Sequence, residues 1–229
     1  MPSPTADLIA RRLAPSTVVA LSRVTGPARL AAAAQRRAGR RGEVELYFAF
    51  DDPCSAVAVV DLAARMSGRP VDLLMKPVVR RGIPGDPAVE LKRSYALVDA
   101  RRLGRRLGLE LTRSRPLGAE ATAFVAEWVA ESGLRSRELT TVCARAMRHL
   151  WFESDGEPSR EALRAIWRQH LGTAPAAGRH QIRMNEARMA RRGPYATPAA
   201  WLAGRWYFAQ DRAASITEYL DELGWTERP

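Results

Sequence analysis

The sequence predicts an α/β fold in which a strand–helix–strand unit and a hairpin–helix unit are separated by a long all-helical insertion. Three patterns carry that expectation. A β-branched and aromatic run at residues 44–50 leads through Asp51-Asp52-Pro53 into an apolar helical stretch and then a second apolar run at 71–79. Residues 88–192 place apolar side chains at three- and four-residue spacing without a strand signal. From Thr197 onward, two short runs flank Gly204 and a last amphipathic segment follows.

The elements follow in order. Residues 1–42 form a basic, Ala/Arg-rich arm with eight arginines against one acid, Asp7. Arg11-Arg12 precede a weakly apolar stretch at 13–22 that Pro15 interrupts. A secretory leader would be more hydrophobic, and a transit peptide fits only loosely. The arm is therefore read as helical, packing on the body or contacting a partner. The first strand starts after Gly42. Asp52 reads as the N-cap and Pro53 as the first residue of the next helix, because proline's missing N–H costs nothing there. That helix carries Val57, Val60, Leu62 and Ala64 to Gly68, apolar on most faces and so buried. A strand–helix–strand order of this length favours a parallel pair.

Residues 80–87 read as a loop and a boundary. Beyond them come three helical stripes. The first holds Phe124, Val125, Trp128 and Val129, and the second Leu139, Val142, Cys143, Ala146, Met147, Leu150 and Trp151. The third holds Leu163, Ile166, Trp167, His170 and Leu171. A hairpin is expected over 197–209 with Gly204-Arg205 as its turn, and a final helix from Asp211. The expected division is a 1–42 arm, a domain built from 43–87 and 193–229, and an 88–192 helical insertion. The order βαβ, helices, ββα is that of a thioredoxin-like domain interrupted in its middle.

Composition narrows the function. Hydrophobic residues make up 46% of the 229, enough for a core, and no apolar run approaches the ~18 residues that span a bilayer. The net charge is +11, of which the arm supplies +7, leaving an ordinary balance elsewhere. Nearly all of the 36 basic residues are Arg, Lys76 and Lys92 being the only lysines. Aromatics do not interleave with the basic residues, which speaks against a nucleic-acid partner. Cys54 and Cys143 are far apart and form no CxxC pair. A disulfide framework, a zinc cluster and a dithiol oxidoreductase are excluded on that count, and a reduced, cytoplasmic setting is expected. No His/Asp/Glu spacing suggests a metal.

Four segments, spread over about 185 residues, carry a resemblance. They are Tyr47-Phe48-Ala49-Phe50-Asp51-Asp52-Pro53-Cys54-Ser55; Lys92-x-x-Tyr95-x3-Asp99-x2-Arg102; Arg192-Gly193-Pro194-Tyr195-Ala196-Thr197-Pro198; and Tyr207-Phe208-Ala209-Gln210-Asp211-Arg212. In this order they resemble the 2-hydroxychromene-2-carboxylate isomerase and kappa-class glutathione transferase group of DsbA-like proteins. The resemblance implies a cofactor, glutathione or another low-molecular-weight thiol, whose sulfur sits at the N-terminus of the first helix of the βαβ unit. It implies that this thiol pairs strand-like with Thr197 before a cis Pro198, and that Asp211, beside Gln210 and Arg212, receives its ammonium. Lys92, Tyr95, Asp99 and Arg102 would line the substrate cleft. The implied activity is isomerisation or group transfer on an aromatic or enone-type small molecule. A homodimer is compatible with all of this.

The pattern departs from the family at one place. Asp52 stands by register where the family has its catalytic Ser, and Asp51 adds a second carboxylate. An ionised carboxylate accepts hydrogen bonds but donates none, and beside a thiolate it repels. Three outcomes stay open: Asp52 is held protonated, Asp52 takes the thiol proton, or the thiol does not bind this way. Each candidate also has a plain structural reading. Asp52 is explained by capping alone, Cys54 by burial of a small residue and Ser55 by helix packing. Lys92, Tyr95, Asp99 and Arg102 are explained by an ion-pair ladder on a solvated helix. Cys143 reads as core, His170 as an interface residue, and His149 and His180 as solvated. Two other functions remain: a DsbA-type oxidoreductase using Cys54 alone, and a non-catalytic binding or scaffold protein whose arm is the interaction element.

Overall fold

The computed structural model describes residues 26–83, 85–176, 178–194 and 196–227, and the backbone only of Arg192. Residues 1–25 of the expected arm, and Tyr195 and the Arg192 side chain of the third motif, lie outside the described residues.

The centre is a four-stranded sheet in the order β2-β1-β3-β4. Strand β1 (Gly42–Phe48) pairs in parallel with β2 (Val71–Pro77). Strand β3 (Ala199–Leu202) pairs antiparallel with β1 and with β4 (Arg205–Phe208). Helix α2 (Pro53–Met66) makes the crossover between the parallel strands, as their order required. Helix α1 (Gly26–Arg37) precedes β1, and helices α3 (Val89–Arg106), α4 (Ala119–Glu131), α5 (Arg137–Arg148), α6 (Arg160–Leu171) and α7 (His180–Arg192) form the insertion. Helix α8 (Ala213–Glu222) closes the described chain. This is the interrupted thioredoxin-like arrangement the sequence predicts.

Boundaries differ from expectation in four places. Strand β1 runs over Gly42–Phe48 rather than 44–50, because Ala49 to Asp52 form a turn in which the Asp52 N–H donates to Ala49 O at 3.2 Å. Strand β2 stops at Pro77, two residues before the expected end. The hairpin turn is Ala203-Gly204, not Gly204-Arg205. Both residues have positive φ, 44° and 94°, the requirement of a two-residue hairpin turn of the right twist. Finally, α8 starts at Ala213 rather than Asp211, with no side-chain cap. The insertion is also not helical throughout. Residues 107–118 and 154–159 are irregular, and α5 ends in a wider π turn, His149–Glu153.

Side chains of β1 alternate between two faces. Val44, Leu46 and Phe48 face the main core, which joins α2, α4, α5, α6 and α8 to the sheet. Tyr47 lies on the other face in a small cluster with Ala49, Val78, Met189, Ala199 and Trp206. The first two insertion stripes are wholly buried, Cys143 included. Of the third, Leu163 and Trp167 are buried while Ile166, His170 and Leu171 are half-buried.

Hydrogen bonds also fasten the insertion to the sheet. Thr140 donates to Leu73 O at 3.2 Å, Asn185 to Pro77 O at 3.0 Å, and the Trp151 indole to Phe50 O at 2.9 Å. At the other end α1 packs on the body: Ala32 is buried, Arg29 pairs with Glu222 at 3.3 Å, and Arg36 lies over Trp225 while donating to Leu223 O.

Candidate functional site

The N-terminus of α2 leaves its first amides without helical partners. Asp52 supplies one: its extended backbone places Oδ1 3.1 Å from the Cys54 N–H, and Pro53 needs no acceptor. The second carboxylate oxygen receives two hydroxyls. Ser55 Oγ donates to Oδ2 at 2.6 Å, and Thr197 Oγ1, from the far end of the sequence, donates to the same atom at 2.9 Å. Ser55 in turn accepts the Ala49 N–H at 3.2 Å. Asp52 and Ser55 are both buried. The turn after β1, the start of α2 and the approach to β3 are thus joined through one carboxylate.

Burial pushes the Asp52 carboxyl above the usual carboxylate range. The positive charge of Arg81 and the hydroxyls of Ser55 and Thr197 oppose that rise, and the neighbouring Asp51 adds to it. Asp51 takes a different partner, a two-pronged ion pair from Arg81 at 2.7 and 3.0 Å. Cys54 follows Pro53 in the first turn of α2. Burial, then the charges of Asp52 and Asp99, push its thiol well above the ordinary cysteine value. The thiol is buried and donates to Ala96 O at 3.7 Å. Cys54 is therefore a neutral thiol at neutral pH and a poor nucleophile. Burial alone does the same to Cys143 in the core.

Beside the Arg81-paired Asp51, the site thus holds a buried carboxylate at the positive end of a helix, Asp52, clamped by hydroxyls. A second anion beside it would be repelled. A thiol that gives its proton to Asp52 leaves the charge count unchanged, and a carboxyl raised above the usual carboxylate range accepts that proton more readily.

The remaining candidates are placed as follows. Thr197–Pro198 is a cis peptide, and Pro198 O accepts the Ala209 N–H at 2.9 Å, which ties the turn after β4 to it. Among the described residues the Thr197 main-chain N–H and C=O make no hydrogen bond. In the turn after β4, Gln210 is half-buried while Asp211 and Arg212 are exposed, 3.8 Å apart. On α3, Lys92, Tyr95, Asp99 and Arg102 are all exposed, Tyr95 by 60%. Arg102 reaches Asp99 at 3.4 Å and Lys92 bonds Asp86. Helix α3 meets the site through Ala96, and Asp99 acts on Cys54 only through its charge. Among the described residues no group of three His, Cys, Asp or Glu side chains could hold a metal ion.

Sequence reasoning missed Arg81, which lies in the 80–87 loop and neutralises Asp51. It also missed that Thr197 acts through its hydroxyl. The adjacent arginines 80 and 81, shortly past the end of β2, were the one signal for the first; nothing local signalled the second.

No family model matches the chain, and no curated protein matches it either. Solved structures do. A 2-hydroxychromene-2-carboxylate isomerase superposes with a TM-score of 0.64 at 18% identity, over 80% of this chain and 96% of that one. A probable DsbA oxidoreductase from Streptomyces coelicolor gives a TM-score of 0.60 at 16% identity, over 82% of this chain and 92% of that one. The chain has the DsbA-like thioredoxin fold, in the arrangement of the isomerase.

Proposed function

We propose that this protein is a glutathione- or other small-thiol-dependent isomerase or transferase, acting on an aromatic or enone-type molecule, with Asp52 as its acid–base group in place of a hydroxyl. The observation that carries the reading is the hydrogen bond from Thr197 to Asp52. It sets a buried, proton-hungry carboxylate beside a main-chain edge with unused donor and acceptor groups. Those free groups fit a peptide-like thiol, and the exposed carboxylate of Asp211 fits its ammonium. When bound, such a thiol supplies a nucleophile for reversible addition to an enone. Asp52 accepts the thiol proton and returns it when the adduct collapses, so no net charge accumulates at the buried site. Ser55 and Thr197 hold the carboxyl in place through both states. The Arg81–Asp51 pair keeps a second charge from entering the exchange.

A single-cysteine oxidoreductase working through Cys54 is the weaker reading, because its thiol is buried and held protonated. The test is calorimetric titration with glutathione in two buffers of different ionisation heat, alongside thermal melts. Binding heat, a raised Tm and proton exchange that disappears in Asp52→Asn support the proposal. Absence of both heat and Tm shift in the wild-type protein overturns it.

A further inference from the structure

The sheet face turned away from α2 carries a second constellation, independent of Asp52. Tyr47 and Lys76 are register partners on β1 and β2. With Gln181, Asn185, Arg188 and Arg191 of α7 they line a cavity of about 410 Å³. A smaller cavity of about 190 Å³ shares Lys76, Gln181 and Asn185 and continues toward Arg135. Lys76 therefore borders both cavities.

The charges in it are unevenly matched. Glu45 is taken by Arg188 at 2.9 Å and by the Tyr47 hydroxyl at 3.0 Å, and Glu43 by Arg135 at 3.5 Å. Lys76 is half-buried, and among the described residues it makes neither a hydrogen bond nor an ion pair; the same holds for Arg191. A partly desolvated ammonium without a counter-ion is unfavourable. Its pKa is lowered accordingly, chiefly by burial and further by Arg135 and Arg188 against the opposing pull of Glu45 and Glu43. The neighbouring amides are fixed: Asn185 donates to Pro77 O, and Gln181 donates to Asn185 at 3.3 Å.

We infer that this cavity binds a small molecule through a phosphate or carboxylate group, with Lys76 as the central cation and Arg191 closing over it. A point-charge ammonium and a guanidinium fork together suit an oxyanion. The volume falls in the range of small-ligand sites, and Tyr47 and Met184 offer apolar wall for the rest of the molecule. The site would not share residues with the thiol site and does not depend on that reading.

The chain's only two lysines make the test selective, since exposed Lys92, bonded to Asp86, is the internal control. The full chain is acetylated with an uncharged amine-reactive ester at constant ionic strength, with and without inorganic phosphate or succinate, and each lysine is followed by peptide mass spectrometry. At a probe concentration about twice its Kd, Lys76 should react about threefold more slowly while Lys92 is unchanged. Protection by phosphate alone, succinate alone or both supports the site and identifies the group it takes. Arg191→Gln, an exposed position, should keep the Tm and weaken the protection. Equal labelling with and without every probe, or equal slowing of both lysines, overturns the inference.

Discussion

The two faces of the sheet divide its work unequally. Toward α2, the strands present Val44, Leu46, Phe48, Leu73 and Met75 to one continuous core. The opposite face of the same strands carries Glu43, Glu45, Tyr47, Asp72 and Lys76 among a small apolar cluster. Parallel strands are usually covered on both sides and read as nearly unbroken hydrophobic runs. Here one side is sealed and the other is only partly covered, by α7 and a small apolar cluster. The sealed face supplies stability and seats the start of α2, while the open face keeps room and charge for a ligand.

That contrast can be broken at its strongest point first. Phe48→Ala should cost about 3–5 kcal/mol in urea-denaturation midpoints, because a fully buried ring leaves a cavity. Lys76→Met, on the other face, should stay within about 1 kcal/mol of wild type or stabilise, since it removes a half-buried unpaired cation. Equal losses in the two variants would erase the distinction.

Next in size is the pair beside the site. Arg81→Met strands Asp51, whose side chain is 4% exposed, and should lower stability by about 2–4 kcal/mol. Asp52→Ala should lose about 2 kcal/mol, through the missing cap and two hydroxyls left without their acceptor.

Asp52→Asn sharpens the comparison through pH. The folded carboxyl binds its proton more tightly than the unfolded one, whose value is near 3.8. Its contribution is therefore fully present below that pH and is lost as pH rises toward the folded value. Wild type should thus weaken relative to Asp52→Asn as pH climbs from 4, and parallel stability curves would contradict the assigned burial. The smallest effect belongs to the hairpin: Ala203→Gly should raise stability by up to about 1 kcal/mol, relieving a side chain at positive φ.

Much of this fold could be read directly from residues whose physics is local. Asp52-Pro53 announced a helix start because a cap and a missing amide are properties of two adjacent residues. The stripe from Leu139 to Trp151 announced a buried helix through its period. The turn at Ala203-Gly204 was placed one residue late because Gly204 was assigned to its first position, and an alanine at φ 44° gives no warning in sequence. The site was half legible. Its members Asp52, Cys54, Ser55, Thr197 and Pro198 were all named, and Asp52 does meet Thr197. The Arg81–Asp51 pair and the burial that fixes the charge state of Cys54 arise only when distant segments pack. The open face of the sheet was invisible for the same reason: Lys76 inside an apolar run looks like an ordinary edge residue until α7 closes over it.

The bond from the Trp151 indole to Phe50 O reaches from the end of α5 to the turn one residue before Asp51. A trimmed chain without residues 88–192 would keep Asp52, Ser55 and Thr197, yet its turn would lose its external strut. Anyone seeking a minimal version of this protein for engineering must graft an indole, or an equivalent donor, onto whatever replaces the helices.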